Sequence, residues 1–142
     1  MARAGNSFRG LRAFRRAEDG ASTIEFVLWV PLVVMILLLI VDASMIFMTR
    51  SHALSVLQET NRLYSVGQFT GDTVADRLDE AEDYALARLT PFSSSATVVS
   101  TETDRVIRTE ATLETSEIAQ IGFLGAMIDT TMILVAQHRV EF

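Results

Sequence analysis

The sequence predicts an α+β protein carried by a single N-terminal transmembrane helix. Three observations lead there. Between Phe26 and Met48 the chain is uncharged except at Asp42. Beyond it, "TRSHALSVLQETNRLYSVGQF" and "GDTVADRLDEAEDYALARLTP" repeat apolar residues at three-to-four spacing, the period of helices packed by one face. From residue 93 the pattern changes to β-branched residues with a period of two, as in strands. The 142 residues suffice for one moderate core plus one membrane segment.

Charge divides the chain. Residues 1–20 carry five arginines (Arg3, Arg9, Arg12, Arg15 and Arg16) against Glu18 and Asp19, a balance of +3. Residues 21–142 hold seven arginines against sixteen acids, a balance of −9. An acidic body argues against nucleic-acid binding. The absence of cysteine excludes disulfides, thiolate chemistry and Cys-based metal sites, and the absence of lysine excludes Schiff-base chemistry and a Walker-type loop. His52 and His138 lack a neighbouring histidine at metal-ligand spacing. Neither catalysis, a cofactor nor a bound metal is expected.

Phe26 to Val41 is sixteen residues without a charge, followed by Asp42 and six small or apolar residues, 23 in all. At about 1.5 Å per residue that spans roughly 35 Å, against a hydrocarbon core of about 30 Å. No second segment is apolar enough to enclose such a helix, so it is read as membrane-spanning. The arginines before it set the amino terminus in the cytoplasm and residues 50–142 outside the inner membrane. Three regions are expected: a basic cytoplasmic leader (1–20), a transmembrane helix (21–48) and an extracytoplasmic domain (49–142). Pro31 removes one N–H and frees the Val27 carbonyl, which predicts a kink near the cytoplasmic end. Asp42, near the far end, is expected to reach the outer headgroups.

Glu25, at the inner boundary, is either an interfacial acid or a charge with a partner. A cut between Gly20 and Ala21 would supply one: the new α-amino group of Ala21 stands one helical turn from Glu25 and can pair with it, or with Glu25 of a neighbouring chain. Such a cut also removes all five leading arginines.

A basic leader ending in Gly20, the short stretch Ala21 to Ile24, then Glu25-Phe26 and an apolar helix resembles the class III signal of type IV pilin-like proteins. Within that class, "RRAEDGASTIEFVLWVPLVVMILLLIVDASMIF" resembles the TadE-like pseudopilins of tight-adherence (Flp-type) pilus systems over roughly residues 14–56, with Pro31 a few residues into the helix and Asp42 late in it. The resemblance implies a pilin-like fold and cleavage of the Gly20–Ala21 bond by a membrane-embedded prepilin peptidase. It also implies Glu25 and Phe26 as assembly and register residues, and other pilin-like or Tad subunits as partners. Phe26, where major pilins usually carry Tyr, and the chain length point to a minor pseudopilin acting in pilus biogenesis and adherence. Two alternatives stay open: an uncleaved single-pass membrane protein with an envelope-facing binding domain, and a secreted domain with residues 1–43 as signal peptide. The apolar run exceeds the usual 7–15 residues of such a signal.

In the body, Ala53, Leu57, Thr60 and Tyr64 predict a stem helix continuing outward from the membrane helix. Asp72 or Thr73 can cap the second helix and Pro91 stops it. Val74, Leu78, Ala81 and Ala85 form its apolar stripe, opposite Asp72, Asp76, Asp79 and Asp83. The acids are read as a solvated face rather than a calcium site, since "DEAED" is helical and lacks loop oxygens. A small three-stranded antiparallel sheet completes the domain. Two strands in residues 93–114 turn at "TETD", with Ile107, Thr109, Ala111 and Leu113 facing one way and Val106, Arg108, Glu110 and Thr112 the other, and the third lies in residues 130–142 with Met132, Leu134 and Ala136 on one face. "FSSS" is read as a linker, and "IAQIGFLGAMI" as a core segment or a docking patch.

Overall fold

The computed structural model describes residues 8–119 and 130–141. Six elements follow in order: α1 (Phe8–Ser65), α2 (Val74–Leu89), β1 (Thr97–Thr103), β2 (Val106–Glu114), α3 (Thr115–Ile118) and β3 (Thr131–Arg139). This is the expected α+β arrangement, with a long apolar helix, a second helix and one antiparallel sheet. The chain divides into two units, Met1–Leu38 and Leu39–Phe142. The connector at residues 120–129, with most of "IAQIGFLGAMI", lies outside the described residues.

α1 begins at Phe8, inside the arginine-rich leader. Leu, Arg and Ala, which make up most of residues 11–17, are all good helix formers. At the other end, Gly67 takes φ 72°, and its N–H donates to the Tyr64 carbonyl while the Gln68 N–H donates to that of Leu63. This left-handed closure favours glycine and satisfies two terminal carbonyls.

Within the second unit one face of α1 is packed. Ala53, Leu57, Thr60 and Tyr64 are all at most 1% exposed, as their spacing predicts. The same stripe extends back through Thr49 to Asp42, which is fully buried. Asp42, seven residues before Thr49 on the packed stripe, is therefore buried and does not stand open toward headgroups. Ala53, Val56 and Leu57 join Ala85 and Leu89 of α2 and Val98, Ala111, Leu113, Leu134 and Ala136 of the sheet in the main core. A smaller cluster joins Tyr64, Ala81, Ile107 and Val140.

α2 opens with a reciprocal cap. The Asp76 N–H donates to Thr73 Oγ1 (3.1 Å), and the Thr73 N–H donates back to Asp76 Oδ2 (2.9 Å). The Thr73 hydroxyl also donates to Asp76 Oδ2 (2.7 Å), and this bond first, then that from the Thr73 N–H, holds the Asp76 carboxyl below the usual range. Ala81, Ala85 and Leu89 form the buried face and Leu78 is half-buried, but Val74 is exposed because the first turn projects past the core. Gly71 lies close against that turn: a Cβ there would stand 2.6 Å from Asp76 Cβ and 2.7 Å from the Arg77 amide nitrogen.

The sheet order is β1-β2-β3, antiparallel throughout. The hairpin turns at Asp104 (φ 53°) and Arg105 (φ 62°), at the end of "TETD"; two consecutive left-handed residues match the twist of a two-residue hairpin. Rows Val98–Ala111–Leu134 and Ser100–Thr109–Ala136 face the helices. A buried polar chain fixes their register. The Thr109 hydroxyl donates to Asn61 Oδ1 (2.6 Å), so the Ser100 hydroxyl, 3.0 Å away, donates to Thr109. The Tyr64 hydroxyl donates to Glu102, and burial together with that carboxylate pushes the phenol up to about 12.

"FSSS" is a clasp rather than a linker. The Ser93, Ser94 and Ser95 hydroxyls and the Ser95 N–H all donate to the Glu117 carboxylate, at 2.6–3.1 Å. These donors, the Ser93 hydroxyl foremost, lower the Glu117 carboxyl from 4.5 to about 2. A lowered folded value means that the clasp's stabilisation is complete above about pH 4.5 and is lost as pH falls toward 2. Hydrogen exchange should show the Ser95 amide protected at pH 5 and progressively released toward pH 2. Glu117→Gln should remove that pH dependence; an unchanged profile contradicts the clasp. Gly71→Ala should lower unfolding stability by about 1–3 kcal/mol through overpacking against the first turn of α2. Denaturant melts of the full chain in micelles check this, and a wild-type midpoint contradicts it.

Candidate functional site

Gly20, Ala21, Glu25, Phe26 and Pro31 all lie on α1, in the first unit. The backbone is helical through Gly20 and Ala21 and remains helical through Pro31. Ala21 and Glu25 are therefore one turn apart along one side of the helix, a spacing at which Cβ atoms stand about 5–6 Å apart. Glu25 is exposed, and Phe26 beside it is 69% exposed.

The apolar side chains that follow are bare on every side. Every residue from Ile24 to Val41 apart from Leu38, which is half-buried, is exposed. α1 is the one helix among the described residues that is long and apolar enough to cross a membrane. The sequence signals of composition and length are thus carried onto a single uncovered helix, with the Gly20–Pro31 pattern at its start.

The second unit brings together a further set of charged and aromatic residues on α1 and α2. Arg62 grips Glu59 with two hydrogen bonds (3.0 and 2.9 Å). Arg88 lies over the ring of Tyr84, 3.4 Å from its centroid, and donates to the Tyr84 carbonyl (3.1 Å). The Arg62 hydrogen bond lowers the Glu59 carboxyl, and the charge of Arg88 adds to that effect. His52 packs on Phe92, with ring centroids 5.0 Å apart. His52, Ser55, Val56, Glu59 and Arg88 line an open groove of about 320 Å³ between α1 and α2. Sequence spacing within α1 puts His52, Ser55 and Glu59 on one side, but nothing in it brings Arg88 across from α2.

Asp76, Asp79 and Asp83 are exposed along α2, and Asp72 is exposed just before its cap. Among the described residues, no group of three or more His, Asp or Glu side chains is placed to hold a metal ion. No match was found among curated proteins or among solved structures. The segment from Gly20 through the stem to Arg62, residues 20–62, matches the model of the TadE-like protein family, a Tad pilus-associated structural and assembly family.

Proposed function

We propose that the chain is a minor pseudopilin of a Tad/Flp-type pilus assembly or secretion system, cut between Gly20 and Ala21 by a prepilin peptidase in the inner membrane. The observation that carries this reading is the family match, which starts at Gly20 and takes in Glu25, Phe26 and Pro31. The exposed apolar helix supports it. Such a surface is compatible with lipid before assembly and with the helices of neighbouring subunits after it.

Each residue then has a physical task. Glycine inside a helix is about 1 kcal/mol less favourable than alanine. The helix is thus easiest to open at Gly20, where the peptidase needs an extended bond. Cleavage removes the five leading arginines and creates a cation at Ala21, one turn from Glu25. Within the chain, or between staggered neighbours, that amine pairs with the carboxylate and offsets much of the cost of a charge at the membrane boundary. Phe26 packs at the same level. Pro31 leaves the Val27 carbonyl without its helical donor and so loosens the helix at the end where it must be handed from membrane to assembly. The domain at residues 49–142 lies outside the cytoplasm, where it meets other pilin-like or Tad subunits.

Glu25→Ala should reach the membrane at the wild-type level and assemble at least tenfold less. Fractionation and pilus counts in a strain lacking the native copy measure both, and wild-type pilus numbers in that strain would contradict the role of Glu25.

A further inference from the structure

We propose that the groove lined by His52, Ser55, Glu59 and Arg88 accepts the acidic face of α2 from a second copy of this chain. The inference rests on the assembly reading above and adds to it a contact between bodies.

The groove is built to receive carboxylates. Its own acid, Glu59, is already occupied by Arg62 through both carboxylate oxygens. Arg88 is held flat against the Tyr84 ring and anchored by one bond to the Tyr84 carbonyl. A guanidinium fixed in this way keeps its remaining edge N–H groups available and loses little freedom on meeting a carboxylate. The Ser55 hydroxyl and the His52 ring add polar partners along the same wall.

The complementary surface is on the same chain. Asp79 and Asp83 are exposed one turn apart, and neither forms a hydrogen bond or ion pair with a described residue, whereas Glu80 accepts from the Thr70 N–H and Asp76 serves the cap. The two surfaces cannot meet within one copy. At about 100° per residue, Arg88 lies about 180° around α2 from Asp79 and about 140° from Asp83. One copy therefore offers its acids on one side and its arginine on another. Made one way only, with the acids of each copy in the groove of the next, such a contact is heterologous and repeats from copy to copy as a row instead of stopping at a pair. Exposed ion pairs are individually weak and screened by salt. The apolar helices supply cohesion, and this contact sets order and direction. It also resolves a difficulty of the body's charge. Residues 21–142 carry sixteen acids against seven arginines, so like bodies approach only where those arginines meet acids.

The chain lacks cysteine, so introduced thiols report this contact alone. The full chain carrying Ser55→Cys and Ala75→Cys, expressed with a prepilin peptidase and oxidised in isolated membranes, should give a ladder of dimers, trimers and higher species. Ala75 is exposed one turn before Asp79 and its replacement leaves every charge in place. Arg88→Glu should weaken the ladder at least fivefold, a further Asp79→Arg and Asp83→Arg should restore it, and 1 M salt should suppress it. Dimers alone would overturn the inference in favour of a reciprocal contact. Absence of disulfide species from chains that still run as large assemblies would overturn it and leave the assembly reading standing; chains that run only as monomers would overturn both.

Discussion

A helix that is apolar all round needs a cover, and among the described residues none is supplied. From Ile24 to Val41 fifteen large apolar side chains stand 40–69% exposed. Half-exposing such a side chain costs about 1 kcal/mol, so together they cost upward of about 10 kcal/mol in water. That matches the whole stability of a typical domain. The helix is therefore tolerable only among lipids or among other helices, and the rest of the molecule is arranged around that demand. Asp42, the acid in the apolar run, is buried on the packed stripe of the second unit. Glu25, the acid at its start, has no such cover and is exposed. The proposal gives that exposed carboxylate its partner by cleavage.

The second unit solves a separate problem with modest means. One stripe of α1, one face of α2 and one face of a three-stranded sheet share a core of mostly small and medium side chains. Polar contacts supply the specificity that the small core lacks: Asn61–Thr109–Ser100 ties helix to sheet, Tyr64–Glu102 ties the stem's end to β1, and Glu117 gathers the serine loop. A body held in register by buried and half-buried polar bonds can present a fixed outer surface to neighbours. That is what a subunit needs if it is added to an assembly repeatedly.

Periodicity carried the parts of this fold that packing decides. The stem stripe, the alternation along β2 and β3, and the cap at Thr73 were legible because each follows from local spacing or local chemistry. What stayed hidden depended on distant partners. "FSSS" has a linker's composition, and only Glu117, more than twenty residues on, turns it into a clasp. The burial of Asp42 follows the stem's stripe back into a run whose uniform apolarity conceals any face. The groove needs Arg88 from α2 beside Glu59 of α1, a pairing with no signature in either helix alone. The Gly20–Pro31 pattern was legible for a different reason: its parts lie on consecutive turns of one helix.

On the proposed cleavage, this helix is released from its basic leader at Gly20 so that Glu25 can meet a new amino terminus. Intact mass and amino-terminal sequencing of the membrane-extracted protein, made with and without a prepilin peptidase, tests it most directly. The chain should start at Ala21 only when the peptidase is present. A chain starting at Met1 or Ala2 in both preparations would contradict it.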